Sequence, residues 1–154
     1  MYTILLALHS LTRWLVLVSL IFSIGRAYRG WLLNKPFLKV DDTIRLITVT
    51  IAHIQLIIGL GLYGISPIVH YFLSHFNTAV HERQIRFFGM EHITVMLISI
   101  VLITIGSAKA KRKTTDKEKF KTMAVWFSIA LILILSSIPW AFSPLTSRPY
   151  FRPF

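Results

Sequence analysis

Four runs of about twenty apolar residues, at about 2–24, 46–64, 87–106 and 122–142, constrain this chain more than any other feature of its sequence. At ~1.5 Å of rise per residue, each is long enough to cross ~30 Å of hydrocarbon as a helix. A single segment in lipid can satisfy its own backbone N–H and C=O groups only by coiling, so the runs demand an all-α membrane fold. The composition agrees, with 55% hydrophobic and only 15% charged residues. The connections are too short to hold a further domain, so residues 1–154 form one domain. Short connections also place consecutive spans side by side, which predicts an antiparallel up-down-up-down four-helix bundle with helices 1 and 3 diagonal across the core.

The formal net charge of +11 is distributed unevenly along the chain. The segment between helices 1 and 2 carries Arg26, Arg29, Lys35, Lys39 and Arg45, and that between helices 3 and 4 carries Lys109, Lys111, Arg112, Lys113, Lys117, Lys119 and Lys121. The opposite side has Arg83, Arg86, Arg148 and Arg152. The positive-inside rule puts the two basic connections in the cytoplasm and both termini outside it. The basic charge is therefore topological; anionic membrane lipids are its expected partner, and nucleic acid is not. The chain has no cysteine, which excludes disulfides, thiolate metal sites and thiol catalysis. The first span exceeds a signal-peptide core and no basic residue precedes it, so it is expected to remain as an uncleaved span.

Local signals refine the boundaries. Helix 1 should end at "GRAYRG", Asp42 and Thr43 should cap helix 2, and Pro67 should stop it. The outer connection "IVHYFLSHFNTAVHERQIR" reads as a short interfacial helix, with helix 3 extended outward from Thr78. The tail "SPLTSRPYFRPF" is expected to lie over the mouth of the bundle or against another subunit.

Ionisable residues inside spans are functional by default, because lipid penalises them. Here they are His9 and Arg13 on helix 1, His53 on helix 2, and Glu91 and His92 on helix 3. Counting inward at ~1.5 Å per residue puts His9 and His92 about 7–11 Å below the outer surface and His53 about 16 Å below it. A flat macrocycle in a four-helix bundle needs imidazoles from opposite sides at similar depth, which the His9/His92 pair supplies, and haem iron accepts such ligands. His53 is left as a hydrogen-bonding or alternative ligand. Glu91 is placed to neutralise Arg13, which otherwise joins the ligand set as an outer partner. Arg83 and Arg86 at the outer mouth suit haem propionates. Two other readings compete: the three histidines together suit a copper or zinc ion, or the network merely holds the helices of a non-catalytic subunit or assembly factor together. "GLGLYG" matches a dinucleotide glycine pattern but lies inside a span, where its glycines instead allow close helix or macrocycle approach.

The segments "LHSLTRW", "AHIQLIIGLGLYGISP", "IRFFGMEH", "LITIGSAKAKRKTTD" and "SIPW" resemble those of small bacterial four-helix inner-membrane proteins labelled cytochrome b, over nearly the whole chain. The resemblance implies a bacterial plasma-membrane location with periplasmic termini, haem b and electron transfer, with quinol or other membrane subunits as partners. Four-helix cytochromes of this kind often hold two haems on four histidines. This chain has no intramembrane histidine in its cytoplasmic half, which limits the expectation to one haem.

Overall fold

The computed structural model describes residues 1–140 and Thr146; the rest of the tail, with Arg148, Arg152 and the expected end of the fourth span at Phe142, lies outside the described residues. Among the described residues the fold is entirely helical, with no strand. The order is α1 (Tyr2–Leu32), α2 (Lys39–Ile65), α3 (Pro67–Ser74), α4 (Phe76–Ala79), α5 (Arg83–Arg86), a π turn (Phe87–Glu91), α6 (His92–Arg112) and α7 (Asp116–Ser137). Four helices are long and apolar enough to cross a membrane: α1, α2, α7 and the continuous rod Arg83–Arg112 made by α5, the π turn and α6.

α1, α2 and the Arg83–Arg112 rod outrun the spans expected from hydropathy, which detects the hydrocarbon-depth portion alone. Nothing in "GRAYRGWL" breaks a helix, so α1 continues to Leu32 and turns just beyond, at Asn34 with φ of 48°. α2 begins at Lys39 rather than at Asp42 and Thr43, because the Asp41 carboxylate accepts the Leu38 N–H at 2.9 Å. Pro67 ends α2 as expected and opens α3. The outward extension of helix 3 begins at Arg83, not Thr78. α7 stops at Ser137, because Ile138 before Pro139 takes an extended backbone with ψ of 130°.

α1 packs against α2 and α7, and α6 against α7 and α2. Large apolar side chains turn outward, among them Val18, Ile57 (69% exposed), Val101 and Ile132, as lipid-facing surfaces require. The interior instead holds small residues such as Ala27, Ala52, Ser99, Ala124 and Ala130, which let rods approach where no hydrophobic effect pulls them together. One close approach joins α6 to α7, where a methyl group on Gly106 would overlap the Trp126 Cβ atom. That atom is fixed to the backbone and cannot swing aside, so Gly106→Ala is expected to destabilise the protein by about 1–3 kcal/mol in reversible detergent unfolding.

The basic end is held by buried charge. Arg26 on α1 binds Asp41 on α2 at 2.6 Å. Arg45, only 2% exposed, binds Asp42 at 2.7 Å and reaches across to the Ser107 hydroxyl and carbonyl on α6.

Candidate functional site

At the end of the molecule away from the basic connections, α1 and α6 bring His9 and His92 together. Their ring centroids are 6.4 Å apart and the planes meet at 73°. Two metal–imidazole bonds of about 2 Å, one on each side of an ion, leave ring centroids about 6 Å apart. The observed separation fits that arrangement.

The orientation of His92 follows from how two helices end. The His92 amide donates to the Phe87 carbonyl five residues back, so the turn before it is wound open into a π turn. Such a turn leaves backbone groups needing other partners, and the Gly89 carbonyl accepts the Tyr63 hydroxyl of α2 at 2.8 Å. Beside α6, its neighbour α7 stops before Pro139, which leaves the Ser137 carbonyl without a helical donor. His92 Nδ1 donates to that carbonyl at 2.8 Å. The bond fixes the tautomer and leaves Nε2 with its lone pair, the form in which imidazole ligates a metal. Phe87, fully buried, lies 5.7 Å from the His92 ring.

His9 is positioned from α2. Gln55 Nε2 donates to the His9 carbonyl at 3.0 Å, and the Thr12 hydroxyl meets Gln55 Oε1. The His9 ring lies over Gly59, where an added Cβ would approach its Cε1 at 3.2 Å. A larger residue at 59 would push the ring away, which accounts for the first glycine of "GLGLYG". His9 Nδ1 is buried with no hydrogen-bond partner among the described residues. Such an atom is rare in a folded interior, and a ring nitrogen in that state is available as a ligand.

The other expected residues divide. His53 does not join the pair: its Nδ1 donates to Val49 on its own helix at 2.8 Å, and its Nε2 faces Thr104 on α6 at 3.4 Å. Thr104 is twelve residues beyond His92, about 18 Å along the helix. Among the described residues no group of three or more metal-ligating side chains comes together, so the three histidines do not share one coordination sphere.

Glu91 binds Arg86 at 2.6 Å rather than meeting Arg13. Residues five apart point ~140° away from each other on an α-helix, whereas the five-residue ring of a π turn returns them to one face. Arg86 also donates to the Val80 carbonyl at 3.1 Å, so its guanidinium is committed within the outer connection. Arg83 is exposed. The Arg13 guanidinium lies 5.4 Å from the Trp14 ring, and Trp14 meets Trp140 edge-on at 6.4 Å.

Gln55 and Ser137 escaped the sequence reading. Gln55 was detectable as an amide two residues after His53 in an otherwise apolar run, but Ser137 acts through its backbone, whose signal is only the proline two residues on. No protein-family model, curated protein or solved structure matches this chain.

Proposed function

We propose that the protein is a membrane haem b electron carrier, with one haem held between His9 and His92 in the outer half of the bilayer. The observation that carries this reading is the His9–His92 ring pair at 6.4 Å, with His92 already held in a ligating tautomer by Ser137. The unpartnered His9 Nδ1 and the glycine beneath that ring add support. Haem b, when bound, takes up and releases one electron at a time. The chain's own residues hold the two nitrogens in place, exclude water with Phe87 and Phe88, and offer exposed Arg83 to carboxylates at the outer mouth. Arg86 is occupied by Glu91 and is the weaker candidate for that task.

The rest of the reading is an antiparallel up-down-up-down bundle in a bacterial plasma membrane, with periplasmic termini. The charge asymmetry supports the orientation, and the packing of α1 against α2 and α7, and of α6 against the same two, supports the bundle. A site confined to one leaflet exchanges electrons with quinol or with a partner subunit on that side.

A second reading, in which the polar residues only tie helices together, is favoured by the Gln55–His9 and His92–Ser137 hydrogen bonds. One measurement separates the two. Protein purified in detergent is expected to carry close to one porphyrin per chain, with a Soret band and a reduced-minus-oxidised alpha band. A colourless, metal-free preparation that takes up no added haem overturns the haem reading.

A further inference from the structure

At the basic end, far from the histidine pair, Phe37, Leu38, Lys39, Asp42, Lys111 and Lys119 line one cleft. Its walls come from the α1–α2 connection, the first turn of α2, the last turn of α6 and the first turn of α7. The cleft is built rather than incidental. Arg45 ties the start of α2 to Ser107 on α6, and the Phe37 ring packs on Phe120 of α7 at 4.9 Å.

Its charge is cationic in effect. Asp42 is the one carboxylate of the lining, and its Oδ1 already accepts Arg45 Nε at 3.0 Å and a terminal guanidinium nitrogen at 2.7 Å. Lys39 and Lys111 form no ion pair among the described residues. Lys119 has only a loose contact with Asp116 at 3.9 Å, while its ammonium sits 5.3 Å from the Phe37 ring. Three lysines therefore line one small space without a matching anion. A compact oxyanion with several acceptor oxygens is what such a set recognises.

The apolar part of the lining identifies the source of that anion. Leu38 is 54% exposed and Phe37 is half-buried beside it. Leu38 directly precedes Lys39, the first residue of the spanning helix α2. A free phosphate gains nothing from an apolar lip at the membrane boundary, whereas a phospholipid lays its glycerol and upper acyl carbons there. We infer that this cleft holds the phosphate of one anionic phospholipid, with Lys39, Lys111 and Lys119 on the oxygens and Phe37 and Leu38 against the apolar part. The site is independent of the histidine pair, and it converts a diffuse basic surface into one stoichiometric binding place.

The test uses the whole protein in neutral detergent, with native mass spectrometry and thermal unfolding as readouts. Phosphatidylglycerol is expected to remain bound as a single adduct and to raise the unfolding midpoint, and phosphatidylcholine to do neither. Exchanging Lys39, Lys111 and Lys119 together for glutamine is expected to weaken phosphatidylglycerol binding about tenfold or more, while the same charge removed at Lys35, Lys113 and Lys117 changes it by about twofold or less. If the cleft variant fails to fold, Lys111→Gln alone, at an exposed position, is expected to weaken binding about threefold. Equal weakening by the two triple variants would overturn the site in favour of a general field. Displacement of the lipid by equimolar inorganic phosphate, or equal retention of phosphatidylcholine, would overturn the lipid assignment.

Discussion

His92→Ala is expected to strip the purified protein of its Soret and alpha bands, while His53→Ala is expected to leave both in place. The contrast follows from geometry. His92 faces His9 across 6.4 Å, whereas His53 donates to Val49 and faces Thr104. Losing a partner behind a metal ligand typically lowers affinity by about 10–100-fold, and losing one of only two nitrogen donors must exceed that. His9→Ala should match His92→Ala. His92→Gln, which keeps a polar group near the Ser137 carbonyl, should retain the fold without the spectrum. Haem loss in His53→Ala with retention in His92→Ala would mean that the wrong pair has been chosen. Unchanged spectra in all variants would leave the histidines a structural role only.

The four spans were legible because hydropathy is a one-dimensional signal that needs no knowledge of the fold. The meeting of His9 and His92 was legible for a related reason: short connections predict helices 1 and 3 to be diagonal, and counting along each span predicts their polar residues at one level. The depth count also set His53 apart, and the structure keeps it beside Thr104. What escaped is local and backbone-driven. Glu91 was matched to Arg13 by depth and by the need to neutralise buried charge, but the π turn gave it Arg86 instead. No propensity in "FFGME" announces a π turn, because its stability comes from the Tyr63 hydroxyl on the Gly89 carbonyl and from Phe72 packing against Gly89, both tertiary contacts. Pro67 was read correctly as the stop of helix 2, while other helix ends erred for a different reason: an apolar helix stops where a proline or a cap stops it, not where its apolar run does.

Gly89→Ala is expected to show how far the site depends on that turn. A Cβ at this position would overlap the ring and Cβ of Phe72, which is buried between α3 and the π turn. Either Phe72 leaves its place, exposing the core beneath the outer connection, or the π turn shifts and carries His92 away from His9. Overpacking at sites that cannot give way costs about 3 kcal/mol at the upper end of its usual range, and that loss is expected here in unfolding experiments. A shifted π turn would lower haem retention as well, because Tyr63 and Ser137 can hold the His92 ring only in the present register. Gly64 supplies the control, since a methyl group there meets nothing within 4 Å and Gly64→Ala should be close to neutral or slightly stabilising. Combining Gly89→Ala with Phe72→Ala should recover part of the lost spectrum, because the two side chains compete for one volume and their effects cannot be additive. If Gly89→Ala proved as benign as Gly64→Ala in both stability and spectrum, the π turn would have no part in aiming His92. Its placement would then rest on the Ser137 carbonyl alone.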